Sequence, residues 1–135
     1  MHSFKDAQNN TWEISLTFGS VRRLKESVLK VDLLDLESGD PPLITRFATD
    51  IYLLIDTIYV LVKPQCDKLG ITDEQFGLLL GGDAILEAQN AFYKELQLFF
   101  LSSGRPDRVK AIAAQKTMIE QAVKMNEAKV DELDP

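Results

Sequence analysis

Histidine occurs once in this chain, at His2, and cysteine once, at Cys66. A lone cysteine cannot form an internal disulfide, and that usage fits a reducing compartment. Metal sites and nucleophilic dyads draw on these same residue types, and neither residue has a partner of its own kind here. Cys66 has no histidine downstream to activate it and follows an apolar helix, so it reads as a buried or half-buried structural thiol. Long hydrophobic runs are missing too. The longest, Ile51 to Val62, is interrupted by Asp56 and falls far short of the ~20 residues that cross a bilayer. Met1 to Asn10 is polar and lacks the apolar core of a signal peptide. No catalytic residue, cofactor or metal site is expected, and no membrane association. The expected compartment is the cytoplasm.

What remains is an acidic chain of ordinary globular composition. Its 135 residues are 45% hydrophobic and 27% charged, with a formal net charge of -6. That length suits a single domain spanning residues 1–135 with one core. The charge balance repels a phosphate backbone, so nucleic acid is not an expected partner.

Thr11-Trp12-Glu13-Ile14-Ser15-Leu16-Thr17 alternates polar and apolar residues and places Trp12, Ile14 and Leu16 on one face of a strand. Ser3-Phe4-Lys5 is its candidate partner, across the turn chemistry of Asp6 to Asn10. A hairpin over residues 3–17 is marginal alone in water, so it must pack on helices or pair with another chain. Residues 20–101 then read as helices. Ser20 is the expected N-cap of the first, with Val21, Leu24, Val28 and Leu29 (or Val31) on its apolar face. Leu33, Leu34 and Leu36 form a short turn before an exposed loop, and Pro41-Pro42 start a second helix. Thr49-Asp50 cap a third, Ile51 to about Leu69, in which Pro64 predicts a kink or break near Val62. Gly70 is a C-cap, and Thr72-Asp73-Glu74-Gln75 has the capping-box spacing. Asp83 caps a further helix, to about Leu101, whose apolar side carries Ile85, Leu86, Ala88, Phe92, Leu96, Phe99 and Phe100. A long last helix spans 106–133. The expected fold is mainly α (α+β): a hairpin followed by a bundle of about five to six helices.

Asp56 is the unusual acid, inside an apolar stretch and at helical spacing from Tyr52 and Tyr59, where a phenol could satisfy it. It has no accompanying acid or base, which argues against a general base. His2 lies in a terminus able to fray. Gly77, Gly81 and Gly82 lack the Lys-Ser/Thr of a phosphate loop and suit a helix-helix corner. Arg22, Arg23, Lys25 and Lys30 form a basic helix side, either solvated or a patch for an acidic partner. The last helix repeats Val109, Ile112, Lys116, Ile119, Val123, Asn126, Val130 and Leu133 at alternating three- and four-residue steps. Its flanks are charged, including Lys110, Glu120, Lys124, Glu127, Lys129 and Asp131. So narrow a stripe suits a coiled-coil-like contact, which makes Val109, Ile112, Ile119, Val123, Val130 and Leu133 the candidate partner-binding residues. The alternative is that this helix packs on its own domain.

Three stretches together resemble a known group. They are Phe4-x-Asp6 with Thr11-Trp12-Glu13-Ile14-x-Leu16-Thr17; Val21-Arg22-Arg23-Leu24-Lys25 with Val31-Asp32-Leu33-Leu34-Asp35-Leu36; and a third set. The third runs from Ala48-Thr49-Asp50 and Tyr59-Val60-Leu61-x-Lys63-Pro64-Gln65 through Leu69-Gly70-Ile71-Thr72-Asp73-Glu74-Gln75-Phe76-Gly77 and Gly82-Asp83-Ala84-Ile85 to Leu96-Gln97-Leu98-Phe99-Phe100. In combination, over about residues 3 to 101, they resemble small tail-gene proteins of long-tailed bacteriophages and prophages, the tail assembly chaperones. The resemblance implies a non-enzymatic assembly factor in the host cell cytoplasm that binds the tape measure protein during tail morphogenesis. Its implied partners are that protein or another tail protein, and further copies of itself as a homo-oligomer. The rival readings are a structural virion subunit, such as a tail or connector component, or another small protein-interaction module.

Overall fold

The structure, a computed structural model of the chain, describes residues 2–105, 108–110, 112–114, 116–117 and 121. Two strands, β1 (His2–Lys5) and β2 (Thr11–Ile14), pair antiparallel with Phe4 opposite Trp12 and His2 opposite Ile14. Five helices follow: α1 (Phe18–Glu26), α2 (Leu43–Thr49), α3 (Ile51–Leu69), α4 (Asp73–Leu79) and α5 (Ala84–Ser102). The described residues from 108 to 121 are helical as well. The expected α+β architecture of a hairpin and a helical bundle is the one observed.

The hairpin owes its shape to one carboxylate. Asp6 accepts hydrogen bonds from the backbone N–H of Gln8 and Asn10, at 2.8 and 2.9 Å. It accepts two more from Asn10 Nδ2 at 3.0 Å and Trp12 Nε1 at 2.9 Å. Asn9 takes the left-handed conformation that the turn requires, φ 67°, which asparagine tolerates at little cost. The Ala7 amide then donates to the Leu79 carbonyl, tying the turn to the end of α4.

Trp12, Ile14 and Leu16 all face inward, as their alternation predicts. They join a single core cluster to which both strands and all five helices contribute. At its centre the Trp12 and Phe76 rings meet edge to face with centroids 5.1 Å apart, and Phe47 and Phe92 do the same at 5.4 Å. β1 lies against α5, and β2 against α3. The hairpin therefore packs on helices within its own chain.

Three details depart from expectation. The N-cap of α1 is Thr17, not Ser20. Thr17 accepts from the Ser20 amide while Ser20 Oγ accepts from the Thr17 amide, a capping box with serine in the third position. Val28 is 96% exposed, because α1 ends at Glu26 and the chain leaves helical phase before reaching it. Leu29 is half-buried and Val31 buried in its place.

The third is at Pro64: of the expected kink or break, the break does not occur, and α3 runs on as one helix to Leu69. Proline removes the N–H that would bond the Val60 carbonyl one turn earlier. Arg23 of α1 supplies a donor instead: its Nη2 lies 3.4 Å from the Val60 oxygen and 3.3 Å from that of Leu61. A guanidinium from a neighbouring helix thus covers the gap in the helical ladder. The remaining helix ends follow the sequence closely. Asp50 caps α3, Gly70 closes it with φ 69°, and Thr72 with Gln75 forms the capping box of α4. Asp83 stands at the N-cap of α5 but makes no side-chain capping bond.

Candidate interaction surface

Side chains of α3 and α5 hold the hairpin by its backbone. Glu95, 3% exposed on α5, accepts from the Leu16 amide at 2.8 Å and bonds His2 Nδ1 at 2.9 Å. In the hairpin's register the Leu16 amide points to where β1 would continue, so the Glu95 carboxylate takes the place of a strand there. Burial opposes its ionisation, but the Leu16 amide, the N-terminal ammonium and the His2 ring together outweigh this and hold its pKa below the usual carboxylate range. His2 is accordingly anchored to α5, not left in a frayed end.

Two more side chains occupy the sheet's free edges. The Gln65 amide accepts from the Glu13 N–H at 3.2 Å and donates to the Thr11 carbonyl at 2.8 Å, as a peptide group of a third strand would. On the far side, Glu87 Oε2 accepts from the Lys5 amide at 3.3 Å. Sequence reading missed Glu95, Gln65 and Glu87, which lie in helices 52 to 82 residues from the backbone they serve. No local pattern signals such pairings.

Cys66 is fully buried and free, and burial pushes its thiol pKa up, the reverse of what a nucleophile requires. Asp56 lies on the exposed side of α3 and bonds neither Tyr52 nor Tyr59, contrary to the expected phenol contact. Partial desolvation raises its pKa, and the nearby Asp50 and Asp73 carboxylates add to the shift. Among the described residues no three His, Cys, Asp or Glu side chains converge as metal ligands, and no helix is long and apolar enough to cross a membrane.

The basic helix side divides in two. Arg23 turns toward the α3 carbonyls, whereas Arg22, Lys25 and Lys30 line a cleft of about 390 Å³ with Phe18, Val21, Glu26, Asp32 and Leu34. Its apolar part is unusually open, with Phe18 60% and Leu34 43% exposed. Arg22 lies over the Phe18 ring at 4.7 Å. Asp32 accepts from the Leu34 amide at 3.0 Å, with Lys25 at 3.8 Å. At the cleft's rim Arg108 donates to the Leu34 carbonyl at 2.6 Å and packs its guanidinium over Phe100.

Of the expected seam, Val109 and Ile112 lie among the described residues. Ile112 is fully buried in the domain's own core, and Val109 is half-buried against it. Ile119, Val123, Val130 and Leu133 lie outside the described residues. The first turns of the seam are therefore used internally. No known protein family, curated protein or solved structure matches this chain.

Proposed function

We propose that this protein is a non-enzymatic interaction module that holds an amphipathic helix of another protein during assembly, acting as a tail assembly chaperone for a tape measure protein. The observation that supports this reading is the cleft beside α1, where exposed Phe18 and Leu34 are rimmed by Arg22, Lys25 and Lys30. Apolar anchors within a charged rim are the chemistry of helix-in-groove recognition. The polar side chains around the hairpin serve the fold: Asp6 the turn, Glu95 and Gln65 the strand edges. The residues that carry the resemblance, Trp12, Leu24, Leu33 and Phe76 among them, are core residues. They leave recognition of a client to the surface. The proposal is tested by mass spectrometry of infected-cell lysate and of purified particles. A chaperone accompanies the tape measure protein in the lysate and is absent from the particle, whereas the rival structural subunit is retained there in fixed stoichiometry.

A further inference from the structure

We infer that the cleft beside α1 takes the acidic, apolar-striped segment 119–134 of a second copy of this chain, an inference that rests on the reading of that cleft as a helix-binding site. Three observations lead to it. The first is charge. Arg22, Lys25 and Lys30 line the cleft and Arg108 stands at its rim, against two carboxylates, Glu26 and Asp32, the second of which accepts from the Leu34 amide. The chain as a whole is strongly acidic, so this is a local reversal of its field. Segment 119–134 has the complementary balance, with Glu120, Glu127, Asp131, Glu132 and Asp134 against Lys124 and Lys129.

The second is apolar matching. The segment's stripe of Ile119, Val123, Val130 and Leu133 continues that of Val109 and Ile112, and those two residues are already used by the domain's own core. The distal four offer branched aliphatic side chains to the half-open Phe18 and Leu34.

The third observation selects the second copy over the same one. Arg108 is fixed at the cleft by its bond to Leu34, and the described residues from there to Gln121 are helical. At 1.5 Å per residue, a helix continued from that anchor would carry residue 121 roughly 20 Å away. Residues 107–134 contain neither glycine nor proline, so the sequence provides no corner at which the segment could turn back onto its own cleft. Across a two-fold axis each copy gives a segment and receives one, and the contact closes.

The test is a charge exchange in the full chain, read by sedimentation equilibrium over a range of concentrations. The wild-type protein should self-associate reversibly. Arg22→Glu with Lys25→Glu should weaken association by roughly tenfold or more, as should Asp131→Lys with Glu132→Lys. All four positions are charged in the wild type, and melting temperature and circular dichroism should stay unchanged in each pair. Combining the two pairs restores opposite charges across the contact and should recover association. A wild-type chain that stays monomeric at every concentration overturns the inference. So does a combined variant that associates no better than either parent. If self-association fails while the cleft still binds a client helix, the second-copy assignment alone falls and the proposed function stands.

Discussion

Replacing Asp6 with alanine removes the acceptor of four hydrogen bonds at once. The dominant loss is at Trp12, whose side chain is fully buried, so its indole N–H is left without a partner and away from water. An orphaned buried donor costs about 1–3 kcal/mol. The turn amides of Gln8 and Asn10 are only partly buried and recover some of their loss through water, adding about 0.5–1 kcal/mol between them. The expected destabilisation of Asp6→Ala is therefore about 2–4 kcal/mol, a fall in Tm on the order of 10 °C. Urea unfolding followed by fluorescence measures it directly, because Trp12 is the only tryptophan. The pH dependence supplies an independent check. Burial works against the Asp6 charge, but the bonds from Trp12, Asn10 and Gln8 prevail and hold its pKa below the ordinary value. A carboxylate depressed in the folded state stabilises the protein above its unfolded pKa, about 4. That contribution is lost as pH falls through the lower folded value. The variant should thus lose less stability than wild type on acidification from pH 5, though not none, since Glu95 is depressed in the same direction. An Asp6→Ala protein as stable as wild type at pH 7, or one with an equally steep acid loss, would refute the assignment.

Arg23 and Pro64 should be energetically coupled. Arg23→Ala should cost about 0.5–1 kcal/mol in the wild type but less in a Pro64→Ala background, where the backbone regains its own donor; equal costs in a double-mutant cycle would remove the compensation argument. The Cys66 thiol should resist a colourless disulfide reagent until the protein unfolds, and rapid labelling of the native state would show that the α3 packing is more open than described. Val28→Lys should change stability by less than about 0.5 kcal/mol, since the side chain is almost entirely in solvent, and a larger loss in thermal unfolding would place Val28 in the core after all.

The elements legible in the sequence were those whose physics is local. The alternation of Trp12, Ile14 and Leu16, the capping box of Thr72 and Gln75, and the glycine at position 70 each depend on neighbours a few residues away, and each stands as expected. The errors share the opposite origin. Pro64 looks like a helix breaker until Arg23, 41 positions upstream in the chain, is folded against it. Ser20 looks like a cap because serine suits that position, yet Thr17 competes for the same role and wins by pairing with it. Asp56 seemed embedded because its sequence neighbours are apolar, but the helix turns it outward. The cleft was half legible. Its basic residues were visible as a helix face, whereas the removal of Arg23 from that face and the addition of Phe18 and Leu34 follow from packing alone.

The central claim is that the surface beside α1 binds a client helix. It is tested most directly by the soluble fraction of the tape measure protein co-expressed with wild type and with Phe18→Asp. Phe18 opens α1, where a carboxylate is favoured by the helix dipole, so the substitution should leave the fold intact. The account predicts a soluble client with the wild-type chain and an insoluble one with the variant, at unchanged melting temperature. A client equally soluble with both, or insoluble with the wild type, would contradict it.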